Sequence, residues 1–391
     1  MQTTSSPTSA ADFRRHFPIF EKKTYLSSCS QGALSTEVRD AFAAYLSSWD
    51  EEGNPWDEWV DEMERLRGRF AKLINASPHE VAISFSASTA VNSLLSGMSF
   101  GERPGLVCTD LDFPTVGQIC LANAERGAEV AFARSQDGRM VAEDVVNLID
   151  DHTGLVAVSH VSYRTGAKLN VRAIVDAAHR SGVPVLLDAY QSVGSGRLDV
   201  KDLGVDFLVA GALKYLLGPP GVAFLYVDEA HIEGLRPTDT GWFAQENPFA
   251  FDVRNLDYAH SANRFQTGSP PVPSIYGAMA GLGLIEGIGL DQIERHIARL
   301  TAGLLGRAVD LGFAVTTPVS PDARGALVVI ESTDAEALLQ RLGGEGFLCS
   351  ARGSGLRVSM HYYNTEDDVD RLVETLRRHQ ELVQRPPVHA L

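Results

Sequence analysis

Two residues of opposite charge, Asp188 and Lys214, stand at the ends of neighbouring apolar runs. Asp188 closes Val183–Leu187, and Lys214 follows Phe207–Ala210. With Val222–Val227, these runs read as buried strands, rich in Val and Leu and bounded by Gly and Pro. Gly218-Pro219-Pro220-Gly221 turns the chain into the third. Taken singly, an Asp at a strand end is a helix cap and a lone Lys is a solvated charge. Together, a carboxylate ending one buried strand and an amine just past its neighbour suit an aldehyde cofactor built on a pyridine ring. The amine makes a Schiff base with the aldehyde, and the carboxylate keeps the ring nitrogen protonated so that the ring acts as an electron sink.

The strings around the pair are more specific than their spacing. Asp188 to Gly194 reads Asp-Ala-x-Gln-Ser-Val-Gly, and Lys214 to Gly221 reads Lys-Tyr-Leu-x-Gly-Pro-x-Gly. Both resemble the class V aminotransferase superfamily of fold type I enzymes, which includes cysteine desulfurases, selenocysteine lyase, kynureninase and isopenicillin N epimerase. The pattern is most similar to kynureninase, through short motifs over roughly residues 25–380. The resemblance implies pyridoxal 5′-phosphate as cofactor. It implies an α/β fold: a large domain with a mixed sheet of the seven-stranded type between helices, and a small C-terminal α/β domain.

Length and composition agree with that outline. A chain of 391 residues exceeds one compact core, so a large and a small domain are expected. We expect an N-terminal arm over 1–24, the cofactor domain over 25–270 and the small domain over 271–391, with part of the N-terminal segment joining the last. At 44% hydrophobic and 21% charged, the composition is that of an ordinary soluble protein. A formal charge of −16 counts against nucleic acid and anionic membranes as partners. No apolar run reaches the roughly 18 residues that span a bilayer, and the polar N-terminus lacks a signal-peptide core. Cys29, Cys108, Cys120 and Cys349 are scattered without metal-ligand spacing, so a cytoplasmic, thiol-state protein without a metal is expected.

In chain order, residues 1–11 are Ser/Thr-rich and read as disordered. Tyr25–Leu34 is turn-rich and precedes a helix that Ser35 or Thr36 caps. It is either an arm docked on the large domain or, as the resemblance implies, a cover over the active site that brings Ser30 to the substrate. Nothing near Cys29 in sequence would lower its thiol pKa. Val81–Phe85 is a strand, and Ser86-Ala87-Ser88-Thr89-Ala90 opens a helix. Hydroxyls and backbone N–H groups at a helix N-terminus suit a phosphate monoester as well as a plain cap. The superfamily carries its phosphate cup here, which implies Ser88 and Thr89.

Leu106–Thr109 leads into Asp110-Leu111-Asp112-Phe113-Pro114-Thr115. This is similar to a Phe-Pro-Thr element of kynureninases and implies that Phe113 stacks on the pyridine ring, where a flat apolar face fixes its tilt. Glu129–Phe132, Val141–Ile149 and Leu155–Ser159 alternate strand, helix and strand. The loop Ser159–Gly166 resembles one that touches the cofactor hydroxyl or the substrate carboxylate, with Tyr163 as the candidate. By the desulfurase match, Gln191 hydrogen-bonds the cofactor's phenolic oxygen. Desulfurases place a Ser and a His just before the lysine, where Gly211 and Leu213 stand here. The phosphate donors are therefore sought on a neighbouring subunit. Trp242, in a Gly-Trp element, and Ser269, in Arg264–Pro270, are the candidates. That implies a homodimer with sites at the subunit interface.

Helices are expected over Val272–Gly287 and Asp291–Leu311. Strands at Phe313–Thr316, Ala326–Ile330 and Leu356–Ser359 then alternate with helices near 334–343 and 366–378. Arg357 opens an Arg-Val-Ser-x-x-x-Tyr-Asn-Thr run typical of the superfamily, and is the expected clamp on the substrate α-carboxylate.

The implied chemistry begins when an L-amino acid displaces Lys214 from the imine, giving an external aldimine. Arg357 fixes its carboxylate, and Lys214 removes the Cα proton to leave a carbanion that the ring stabilises. Desulfurases next need a nucleophilic Cys on a mobile loop, whereas Cys349 sits close before Arg357 without one. Val116 also replaces an aspartate expected after Phe-Pro-Thr in kynureninase. A β-elimination of the C–S lyase type leads, ahead of class V transamination, epimerisation and kynureninase-type hydrolysis. A catalytically silent scaffold is set aside because Asp188, Gln191, Lys214 and Arg357 are all present.

Overall fold

The computed structural model describes residues 9–136 and 138–386. Residues 1–8 of the segment expected to be disordered lie outside these. Ala10 and Ala11 correct that expectation: they open a helix, Ala10–Arg14, capped by Ser9, whose hydroxyl accepts the Asp12 N–H. Phe13 in this helix and Phe17 just beyond it are buried, and that burial offsets the entropy of ordering the arm.

The strands follow as β1 (Thr24–Tyr25), β2 (Val81–Ser84), β3 (Gly105–Thr109), β4 (Glu129–Ala133), β5 (Thr153–Ser159), β6 (Val185–Asp188), β7 (Phe207–Gly211) and β8 (Ala223–Val227). The C-terminal part adds β9 (Leu327–Glu331), β10 (Phe347–Leu348), β11 (Ser350–Arg352) and β12 (Gly355–Ser359). β2 to β8 form one seven-stranded sheet in the order β2-β8-β7-β6-β5-β3-β4. β8 runs antiparallel to both neighbours, and the other pairings are parallel.

Alternation along the strands sorts their side chains to two covered faces. Leu106, Leu155, Leu186, Phe207 and Leu225 share one core with residues of the helices Ala87–Ser96 and Pro114–Ala122. Val107, Val156, Leu187, Leu208 and Phe224 share the other with residues of Trp56–Leu73, Val171–Arg180 and Val272–Ile288. Both faces are apolar because both carry helices, as a largely parallel sheet requires.

A separate core joins the two ends of the chain. Phe13, Phe17 and Leu26 pack with residues of Leu290–Asp310, Glu366–Arg378, β9 and β12. β1 pairs in parallel with β10, Thr24 opposite Phe347. β11, β12 and β9 form an antiparallel sheet in that order. The expected strand at Phe313–Thr316 reduces to one bridge, Val315 to Ile330. The pairing stops because the Thr317 hydroxyl, rather than a backbone carbonyl, takes the Val329 N–H, and Pro318 has none to give. Cys108 and Cys120, scattered in sequence, meet in the interior with their sulfurs 3.5 Å apart.

No single helix among the described residues is long and apolar enough to cross a membrane. The pair Val272–Ile288 and Leu290–Asp310 meets the length and composition test only jointly, across an 80° bend.

The rings of Phe70 and Phe224 stack face to face, 3.8 Å between centres and 5° from parallel. Phe224→Ala is expected to cost about 3–5 kcal/mol through lost burial and the cavity left behind. The check is a lowered denaturant midpoint with an unchanged m-value.

Candidate active site

β2, β3, β5, β6 and β7 all run the same way, so their C-terminal ends meet along one edge of the sheet. Crevices at that edge are where open α/β sheets place ligands. A cavity of about 340 Å³ opens there, lined by Asp188, Gln191, Lys214, Phe113, Ser88 and Arg357, with Ser30 and Tyr163 at its walls. Eight of the eleven residues singled out from sequence are thus brought together. A larger open groove, about 1480 Å³, lies elsewhere between Lys72, Arg197 and Asp291. It contains neither Asp188 nor Lys214.

Asp188 is the last residue of β6 and shares a sheet face with Leu186. Burial raises its pKa, while the Tyr190 N–H at 2.9 Å and the Lys214 charge pull it back. Lys214 is set three residues beyond β7. Burial brings its amine down to about 8, against the opposing pull of Asp188 and with help from the Arg357 and Arg352 charges. Its ammonium lies 4.4 Å from the centre of the Tyr190 ring and 5.8 Å from that of Phe113. Phe113 stands at the cavity mouth, 43% exposed, edge-on to Tyr163. Its loop is fixed by the buried Asp112, which accepts the Thr109 and Ser159 N–H groups and so ties the ends of β3 and β5.

Arg357 is a buried cation without an acid. Its Nη2 donates to the Ser30 hydroxyl at 2.7 Å, its Nη1 to the Tyr163 carbonyl at 3.0 Å, and its Nε to Ser350 at 3.2 Å. Only 2% of Arg357 is exposed, and no ion pair involves it among the described residues. The Tyr25–Leu34 segment lies over the site, as expected. The Gly32 N–H donates to the Leu213 carbonyl at 2.7 Å, and the Gln191 amide donates to the Cys29 carbonyl at 3.0 Å. Only a residue without a side chain allows that approach, since a Cβ on Gly32 would meet the Lys214 carbonyl oxygen at 2.6 Å.

The hydroxyl corner is built from two helix N-termini. Ser88 meets Thr115, in the first turn of Pro114–Ala122, at 3.2 Å. Thr89 lies behind this wall, its N–H and hydroxyl both engaged by the Ser86 cap. Trp242 and Ser269 are not in this chain's cavity. Trp242 sits among Trp56, Phe243, Phe249 and Phe251, and Ser269 is exposed.

Three contributors escaped the sequence reading. Tyr190 is the variable position inside the Asp-Ala-x-Gln run. Its ring fills the space beside Gly211, where any Cβ would fall inside it. Gly211, noted as a departure, was the available signal. Thr115 was hidden inside a motif read only for Phe113. Ser350 reaches Arg357 through the β11–β12 register, in which the two residues are opposite each other.

The residues fit a pyridoxal phosphate. The Gln191 Oε1, in the same cavity as Asp188, is buried without a hydrogen-bond partner among the described residues, an acceptor that a phenol or a ring substituent would satisfy. The amine, the buried carboxylate and the hydroxyl-lined helix ends are of the chemistry that would hold the aldehyde, the ring nitrogen and the phosphate.

The family model for aminotransferase class-V matches residues 25–372. The uncharacterized aminotransferase YcbU of Bacillus subtilis (strain 168) is 36% identical over 364 residues, covering 93% of this chain and 96% of its own. A kynureninase of Bacillus cereus is 29% identical, over 94% of this chain and 90% of its own. Among solved structures, C-DES with glycine covalently linked to its pyridoxal-phosphate cofactor superposes with a TM-score of 0.85 at 23% identity, over 93% of this chain and 98% of that one. The same protein, described as a cystine C–S lyase, has also been solved with its product cysteine persulfide. The seven-stranded mixed sheet and its order are those of fold type I, as expected from the motifs.

A lysine with its pKa near 8 is neutral far more often at pH 7 than one at the ordinary 10.5. Only the neutral amine attacks an aldehyde. Capture of pyridoxal phosphate by the apoprotein, followed by absorbance, should therefore accelerate about tenfold per pH unit up to about 8 and then level off. A rate still climbing beyond pH 9 would contradict this environment for Lys214.

Proposed function

The chain belongs to the class V aminotransferase family, whose cofactor is pyridoxal 5′-phosphate, and on that premise we propose that it removes the Cα proton of an L-amino acid and expels a group from Cβ. The observation that carries this reading is the buried, acid-free guanidinium of Arg357 in the same cavity as the low-pKa amine of Lys214.

Bound pyridoxal phosphate supplies an aldehyde that condenses with amines and a protonated ring that takes up electron density from Cα. Asp188 would hold the ring nitrogen, Gln191 the phenolic side, and Ser88 with Thr115 the phosphate. Phe113 would cover one ring face. Arg357 orients the substrate through its α-carboxylate. Its donors are pre-aimed by Ser30, Ser350 and the Tyr163 carbonyl, so little is lost in ordering it. Lys214 takes the proton from Cα and can hand it to a leaving group. In elimination the Cβ bond breaks with its electrons on the leaving group. The remaining 2-aminoacrylate is converted by water to pyruvate and ammonia.

Cys349 supports release of sulfur as a small molecule rather than relay through a protein persulfide. Burial pushes its thiol up to about 12, and only Gly353 and Ser354 connect β11 to β12. Transamination is the second reading, favoured by the 36% identity to a protein named as an aminotransferase. Epimerisation and kynureninase-type hydrolysis are the remaining alternatives.

We also propose a homodimer, because Trp242 and Ser269 stand outside their own chain's cavity. Phe251, stacked against Trp242, is 70% exposed, and Val253 two residues on is 96% exposed. The domain division at 25–270 and 271–391, the role of Thr89 and a cytoplasmic site of action belong to this proposal as well.

Lys214→Ala should abolish the cofactor's imine absorbance band and turnover. Arg357→Lys should raise KM about ten- to a hundredfold, since the two-pronged contact is lost. On an amino-acid panel, pyruvate with released thiol or sulfide identifies the lyase, and pyridoxamine phosphate the transaminase. Racemisation identifies the epimerase, and anthranilate with alanine the hydrolase. For the dimer, co-expressing Lys214→Ala with Trp242→Ala chains should rebuild one intact site per hybrid and recover activity that neither variant has alone.

A further inference from the structure

We infer that the substrate carries a second acidic group on its side chain, read by Arg352. This rests on the reading above, in which Arg357 takes the α-carboxylate. β11 and β12 pair with Ser350 opposite Arg357 and Arg352 opposite Gly355. Side chains two apart in a strand share a face, so Arg352 stands on the same face as Ser350, about 7 Å further along the hairpin. It lines the same cavity as Arg357 and Lys214. Its guanidinium makes one hydrogen bond, to the neighbouring Ala351 carbonyl, and no ion pair among the described residues. An exposed cation at the rim of a binding cavity, held to nothing but its own backbone, is free to meet a ligand.

Charge within the cavity points the same way. Lys214, Arg352 and Arg357 line it as cations against one carboxylate, Asp188. The α-carboxylate answers Arg357. The cofactor phosphate has its own corner, at the two helix N-termini around Ser88 and Thr115, on the large sheet. Arg352 instead belongs to the hairpin that carries the substrate clamp. Its electrostatic reach to Lys214 is felt in that amine's lowered pKa. What remains for it is an anion on the substrate beyond Cα, within a carboxylate's reach of the first guanidinium. For an elimination, an amino acid with an acid-bearing thioether on Cβ meets that description.

The test compares near-isosteric acid and amide ligands on the holoenzyme: L-aspartate with L-asparagine, L-glutamate with L-glutamine, and S-carboxymethyl- with S-carbamoylmethyl-L-cysteine. Kd is read from the amplitude of the cofactor's absorbance change within the first turnover. The acid of at least one pair should bind about ten- to a hundredfold tighter than its amide. The preference should shrink as salt is raised, because Arg352 is exposed. Arg352→Gln should bring the ratio to about one while leaving the amides' Kd and the cofactor content unchanged. Equal binding of all pairs by the wild type, or a preference that survives in Arg352→Gln, overturns the inference and leaves the parent reading intact. So does a variant that loosens the cofactor instead. A holoenzyme that binds no amino acid, acid or amide, overturns the parent reading and this inference with it.

Discussion

The structure depends on keeping a carboxylate and an amine out of water, a few residues apart in space, at the ends of two adjacent parallel strands. Removing each ion from water costs on the order of several kcal/mol even after relaxation. Burial acts on both groups here, raising Asp188 and lowering Lys214, and each charge partly restores the other. The sheet order makes the arrangement possible, because β6 and β7 are neighbours and both point their C-terminal ends into the cavity. The two helix-covered apolar cores make it dry. A destabilised pair of this kind is the state from which a ligand with a basic ring nitrogen and an aldehyde gains most.

The motifs made the pair, Gln191 and Arg357 legible, since they lie in short contiguous strings whose flanking Gly and Pro also set the strand ends. The two long helices after Pro271 were equally readable, Val272–Ile288 and Leu290–Asp310 falling within a residue of their expected ends, whereas Val171–Arg180 was not. The contacts between strings were not. Ser350 is polar and unremarkable until β11 folds back on β12. Tyr190 is legible only with Gly211, twenty-one positions later, because the space for its ring exists where that residue has no side chain. The lost strand at Phe313–Thr316 turned on one hydroxyl, that of Thr317, competing for a backbone N–H.

Arg357 shows how the second core serves the first. It belongs to the small sheet, yet it reaches across to the Tyr163 carbonyl of the β5 loop and to Ser30 of the N-terminal segment. Three separate parts of the chain therefore fix one guanidinium. The Ser28 hydroxyl on the Tyr363 phenol at 2.6 Å, and the Cys29 N–H on Ser359 at 2.8 Å, hold the covering segment to β12 and the turn after it. Arg14 adds an ion pair with the buried Asp368 at 2.6 Å.

The short pairing of β1 with β10 sets an order on biosynthesis. Thr24 leaves the ribosome more than three hundred residues before its partner Phe347 exists. The seven strands of the central sheet can assemble in that interval, but Thr24 and Tyr25 must wait for their strand partners, and Phe13 and Phe17 for most of the core they join. A nascent protein stalled short of its C-terminal hairpin lacks Arg357 and Ser359, and with them the contacts that hold Ser30 and Cys29 of the covering segment.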